Sequence, residues 1–94
     1  MRRNVDKEIA AGLADARLAD WQCIDHGGWI AVVDDKDVRQ VVGEDGRRYN
    51  VVSHAVHDGD GRIRMSVAVD DGGLSAFVPL VRDQIMNPDG TFVE

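Results

Sequence analysis

The strongest folding signal in the sequence lies in residues 49–69, which read YNVVSHAVHDGDGRIRMSVAV. Over residues 62–69, apolar side chains alternate with polar or small ones, which predicts a strand with one buried and one wet face. Residues 49–56 are apolar on both faces and predict a central strand. The Asp-Gly repeat at 58–61 supplies turn conformations, so we expect these two strands to form a hairpin.

Further short apolar runs on both sides of this hairpin extend the pattern. They cover residues 29–33, 38–42 and 74–78, and clusters of Asp and Gly separate them. Regular spacing of strands and turns predicts an antiparallel meander of four to five strands. Residues 35–42 also fit a short helix that ends at Gly43, but their β-branched valines favour a strand.

Residues 4–20 have the spacing of an amphipathic helix. Asn4 is a suitable N-cap. The predicted apolar stripe consists of Val5, Ile9, Gly12, Leu13, Ala16 and Ala19. Leu18 falls outside that stripe, so we expect it to be exposed together with Trp21.

The C-terminal part is expected to hold a short helical turn over residues 80–86, started by Pro79. A turn follows at 87–90, and Phe92 and Val93 are expected to return to the core. Trp29 and Phe77 are expected to fill that core. The predicted fold is therefore one α+β domain over residues 1–94, with an N-terminal amphipathic helix packed on the meander.

The charge balance limits the classes of partner. The 94 residues carry 17 acidic and 11 basic side chains, a net charge of −6. A negative field repels phosphates and attracts basic protein surfaces, so we expect no direct binding of nucleic acid. Cys23 is the single cysteine, and the first residues lack the apolar run of a signal peptide. No stretch is long and apolar enough to span a membrane, so a cytoplasmic location is expected.

Four side chains have the chemistry of soft-metal ligands: Cys23, His26, His54 and His57. His54 and His57 are three apart on a predicted strand, where such positions face opposite ways. Cys23 beside Ile24 is typical of a small buried apolar residue. The sequence therefore predicts no catalytic residue and no cofactor, and these four residues remain only an alternative metal or ligand set.

Three functional hypotheses remain. The leading one is a non-catalytic, acidic protein-binding module, similar in its physics to inhibitors, immunity proteins and antitoxins, that acts on a basic, nucleic-acid-handling protein. The second is a small dimeric enzyme or ligand binder that uses Cys23 and the histidines, and the third is an accessory subunit of a larger assembly. For the leading hypothesis, the candidate contact residues are Leu18, Trp21, Asp34, Asp35, Asp37, Asp58, Asp60, Asp70 and Asp71.

Overall fold

A four-stranded antiparallel sheet with two helices forms the observed fold, as the predicted α+β class requires. The computed structural model describes residues 2–70 and 80–93, with side chains from residue 7 onward. The helices are α1 (Arg2–Gln22) and α2 (His26–Ala31), and the strands are β1 (Lys36–Val42), β2 (Arg48–His57), β3 (Ile63–Asp70) and β4 (Leu80–Met86). The expected strand at 74–78, Asp71, Phe77 and Pro79 lie outside the described residues.

The sheet is a simple meander in the order β1-β2-β3-β4. The hairpin between β2 and β3 is confirmed, because the Asp58 N–H donates to the Arg62 carbonyl oxygen at 2.8 Å. Gly61 in this turn has a positive φ of 80°, and a Cβ there would lie 2.9 Å from the Pro88 ring. Only glycine suits both conditions. Residues 36–42 form a strand, as their valines favoured.

One face of the sheet carries the core. Side chains of β2 and β3 alternate along their length, and every second one is buried. The buried face of these two strands consists of Tyr49, Val51, Ser53, Ala55, Ile63, Met65, Val67 and Val69. Helix α1 packs over this face, against β2, β3 and β4.

The stripe that helix α1 turns to the sheet overlaps the predicted one only in part, since Ile9 and Leu13 are partly buried against the core. Its buried residues are Ala10, Ala14, Leu18 and Trp21, whereas Ala16 and Ala19 are exposed. The expectation of an exposed Leu18 is wrong, because Leu18 and Trp21 bring more apolar area than the alanines of the predicted stripe. The small side chains of Ala10 and Ala14 let the helix backbone approach the strands closely.

Residues 26–31 form helix α2, which takes up the first part of the strand expected over residues 29–33. The side chain of Asp25 caps this helix, with Oδ1 accepting from the Gly28 N–H at 2.9 Å. Trp29 is fully buried, and its Nε1–H donates to the Trp21 carbonyl oxygen at 2.9 Å. This bond joins α2 to the C-terminal part of α1.

Residues 80–86 form strand β4, so the predicted helical turn over these residues is wrong. Pairing with β3 satisfies the backbone of β4 on one side. On the other side the chain returns after the turn at 87–90, and the Val93 N–H donates to the Ile85 carbonyl oxygen at 2.8 Å. The Phe92 ring packs 5.9 Å from that of Trp29, which confirms its expected return to the core.

The second face of the sheet is here called the open sheet face. It is defined by the row Val38, Val52, Ala68 and Val81, which crosses all four strands in register. In the described part of the chain, both helices pack elsewhere than on this row. Val38 is 60% exposed and Val81 is 52% exposed. A band of apolar side chains thus faces solvent.

Candidate functional site

Four chain segments bring carboxylates together at one end of the sheet, here called the acidic end. It consists of Asp25, Asp34, Asp35, Asp58, Asp60 and Asp89. His26 joins α2 to the 58–61 turn, because its Nε2 lies 2.8 Å from the Gly61 carbonyl oxygen. Pro88 contacts Gly61, which brings the 87–90 turn alongside, and the Asp34 N–H donates to the Ala55 carbonyl oxygen.

Two arginines neutralise part of the acidic end. Arg62 pairs with Asp60 at 3.5 Å, and Arg64 pairs with Asp58 at 3.4 Å. Arg64 also donates to Asp83 at 2.7 Å, and this hydrogen bond raises the pKa of the guanidinium. These arginines are committed to neighbouring carboxylates, so Asp58 and Asp60 have less charge to offer a partner than their exposure suggests.

Two further carboxylates of this end serve local structure. Asp25 caps α2. Asp89 accepts hydrogen bonds from the hydroxyl and the N–H of Thr91, which lower the pKa of its carboxyl. Asp89 therefore stays ionised at neutral pH while it shapes the 87–90 turn.

Asp34 and Asp35 are the two carboxylates of the acidic end that remain available to a partner. Both are exposed, and within residues 2–70 and 80–93 no side-chain hydrogen bond or ion pair engages either of them. Asp34 adopts a positive φ of 71°, a conformation that Asp tolerates better than most residues. The two adjacent charges project from the short segment between α2 and β1.

The other predicted aspartates occupy different surroundings. Asp37 lies on β1 and bridges Arg17 and Arg39, each at 3.0 Å. Asp70 lies at the opposite end of the sheet and accepts from the Asn50 side chain at 3.1 Å. Turns 34–35 and 58–60 therefore share one end, whereas Asp70 belongs to the other end.

Leu18 and Trp21 are not surface anchors, which corrects the sequence-based assignment. They are only 8% and 7% exposed. The Trp21 Nε1–H donates to the Ser53 hydroxyl at 3.0 Å, and the Arg17 guanidinium lies 4.7 Å from the centre of the Trp21 ring. The indole N–H of Trp21 thus has its hydrogen-bond partner inside the protein, and the Arg17 guanidinium covers the outward side of the ring.

A cleft of about 260 Å³ lies between α1 and β1. Trp21, Ser53 and Met65 form its base. Charged residues line its rim, namely Arg17, Asp35, Lys36, Asp37 and Arg39. Neither histidine nor cysteine is among the described residues that line it. The cleft therefore lacks the thiol or imidazole that the ligand-binding hypothesis invoked.

The structure scatters the four alternative metal ligands. Cys23 is exposed after the end of α1, in contrast to its expected burial. His26 begins α2, His54 lies on the open sheet face, and His57 ends β2 on the opposite face, as the strand spacing predicted. Across the described residues, no three His, Cys, Asp or Glu side chains are grouped closely enough to hold a metal ion.

Sequence reasoning missed the role of Arg17. This residue lies on the helix face that was predicted to be wet, yet its side chain is only 11% exposed. Its Nε atom is buried and has no hydrogen-bond partner among the described atoms. The spacing of Arg17 and Trp21, four residues apart on a helix, is the signal that predicts their contact.

The chain matches no protein-family model, no curated protein and no solved structure at a significant level. Neither described helix combines the length and the apolar character that a membrane span requires.

Proposed function

We propose that the chain is a non-catalytic protein-binding module that docks its acidic end on a basic protein surface. The observation that carries the proposal is the pair Asp34 and Asp35, two adjacent exposed carboxylates that no cation neutralises in the described part of the chain. Carboxylates in this state complement lysine and arginine side chains on a partner and accelerate its association.

The hydration of these carboxylates supports binding over catalysis. A catalytic acid at neutral pH needs a carboxyl group in a site that excludes water, where burial or a second carboxylate retains its proton. Asp34 and Asp35 are exposed to water. Their exposure suits contact with a partner surface better than proton transfer to a bound substrate.

The overall charge narrows the class of partner. With a net charge of −6, the chain repels polyanions and is attracted to surfaces that bind them. We therefore place the partner among basic proteins that handle nucleic acid. The chain acts on such a partner as an inhibitor or antitoxin-like protein that covers its cationic surface.

The test compares two variants that lose the same charge. Asp34→Asn/Asp35→Asn removes the available pair and keeps a residue that tolerates positive φ at position 34. Glu8→Gln/Glu44→Gln removes two exposed carboxylates outside the acidic end. The dissociation constant of each for an immobilised peptide of alternating Lys and Arg is measured at about 50 mM and about 300 mM salt, since screening lengths differ between these conditions.

We expect the Asp34/Asp35 variant to bind the peptide about 5- to 30-fold more weakly at low salt, because each solvent-exposed pair contributes up to about 1 kcal/mol. The Glu8/Glu44 variant should change by less than about twofold, since net charge alone acts weakly at a distance beyond the screening length. Equal losses of affinity in the two variants would show that binding to the peptide depends only on net charge, and the acidic end would then have no special role.

A further inference from the structure

We propose that a second copy of this chain covers the open sheet face, so that two sheets pack into an eight-stranded sandwich. This surface is separate from the acidic end, and the inference does not rest on the function proposed above. It starts from the row Val38, Val52, Ala68 and Val81, whose two outer members are more than half exposed. This row of exposed and partly exposed apolar side chains offers a surface that another protein layer can cover.

The charges beside this row identify the occupant. The adjacent row consists of Lys36, His54, Ser66 and Asp83, again in register across the four strands. Its two ends carry opposite charges, a lysine on β1 and an aspartate on β4. A surface with opposite charges at its two edges is complementary to a copy of itself that has been turned over.

A two-fold axis parallel to the strands, between β2 and β3, performs that turn. It places β1 over the partner's β4 and keeps each cross-strand row opposite the same row. Val38 then faces the partner's Val81, and Lys36 faces the partner's Asp83. Because the operation is symmetric, each contact occurs twice in the dimer.

Lys36 forms no ion pair within the described residues, and Asp83 keeps one carboxylate oxygen for this contact. Asp83 pairs with Arg64 through Oδ2, and its side chain is 45% exposed. An axis perpendicular to the strands would instead place Lys36 near the partner's Gln40, without an opposite charge. The charge pattern therefore favours the parallel axis, which also gives the aligned packing usual for two sheets.

The available area predicts the strength of the dimer. Four strands about 4.8 Å apart and seven residues of about 3.3 Å each span roughly 19 by 23 Å. Two such faces bury roughly 900 Å² in projection, close to the lower limit of about 1,000 Å² for specific interfaces. We expect a reversible dimer with a dissociation constant on the order of 10 to 100 μM.

The test measures mass by sedimentation equilibrium from about 5 to about 500 μM chain, under reducing conditions because Cys23 is exposed. Val38→Glu should leave a monomer throughout this range, because it places a charge in the apolar row. Ile30→Glu is the matched control: Ile30 is 48% exposed on α2, away from the open sheet face, and the net charge changes equally. This control should dimerise like the parent.

A charge exchange identifies the pairing. Lys36→Asp and Asp83→Lys, made singly, should each weaken the dimer about tenfold, because two like-charged contacts replace two attractive ones. The double exchange Lys36→Asp/Asp83→Lys restores opposite charges and should bring the dissociation constant back to within about threefold of the parent.

Three results would overturn the inference. The first is a parent chain that stays monomeric up to the highest concentration. The second is a dimer that survives Val38→Glu. The third is a dimer that Val38→Glu abolishes but Asp83→Lys leaves intact, because that combination indicates pairing between β1 edges instead of between faces. Asp34→Asn/Asp35→Asn should leave the dimer unchanged, so failure here and failure of the acidic-end proposal are distinguishable.

Discussion

Trp29→Ala is expected to lower the free energy of unfolding by about 3–5 kcal/mol, the range for truncating a fully buried aromatic side chain. The Trp29 side chain has no exposed area. Its removal opens a cavity beneath Phe92 and deletes the hydrogen bond from Nε1 to the Trp21 carbonyl oxygen, which ties α2 to α1. A domain of this size is stabilised by only about 5–14 kcal/mol in total.

The measurement is urea unfolding followed by far-ultraviolet circular dichroism, which reports on the whole fold when tryptophan fluorescence is altered. Ile30→Ala is the matched control on the same helix. Ile30 is 48% exposed, so its truncation should change stability by no more than about 0.5 kcal/mol. A Trp29→Ala variant that lost less than about 1 kcal/mol would contradict the central place of Trp29 in the core.

Trp21→Ala is expected to cost a similar amount, about 3–5 kcal/mol, but for an additional reason. The indole fills the space between α1 and the sheet, and it also donates to the Ser53 hydroxyl. Ser53 is 2% exposed, so its hydroxyl loses this donor and regains a partner only if water enters the space that the indole vacates. The buried hydroxyl that is left without its donor accounts for about 1–3 kcal/mol of this cost.

A double-mutant cycle separates the two contributions to the Trp21 effect. Trp21→Phe keeps an aromatic ring but removes the donor, and Ser53→Ala removes the acceptor. If the hydrogen bond stabilises the fold, the double variant should be more stable than the sum of the single losses predicts, by about 0.5–3 kcal/mol. If the stability losses of the two single variants simply add, the hydrogen bond contributes nothing to the stability of the fold. Cys23→Ala, at an exposed position, provides the baseline for a substitution outside the core.

The central hairpin could be predicted from the sequence because strong signals agreed there. Alternation in β3, apolar residues on both faces of β2 and an Asp-Gly turn all indicated the same structure, and the register shows it. The valines of β1 were also sufficient to predict a strand there, because β-branched residues fit a strand better than one short turn of helix.

Two elements were mispredicted for identifiable physical reasons. Helix α2 has six residues, too few to show a helical period, and Gly27 and Gly28 weaken its propensity. The signal that was available is Asp25, an N-cap. In β4 the polar residue Arg82 interrupts the alternation of apolar and polar side chains that predicts a strand. Arg82 lies on the side of β4 that faces α1, where it pairs with Asp15 of the helix.

The candidate site was predictable only in part. The position of Asp34 and Asp35 in a turn followed from composition, since Asp is favoured in turns. The pairing of Asp58 and Asp60 with Arg64 and Arg62 depends on the final fold and could not be read from the sequence. The assignment of Trp21 to the surface failed because the helix face was misplaced by a fraction of a turn.

The position of α1 makes the four strands unequal in their resistance to local opening. The helix packs over β2, β3 and β4, so its apolar side chains cover those strands and leave β1 at the margin. An ion pair between Arg17 and Asp37 ties α1 to β1, and dissolved ions weaken this pair. We therefore expect backbone amides of β1 to exchange with deuterated solvent before those of β3, and added salt to widen the difference in exchange rate.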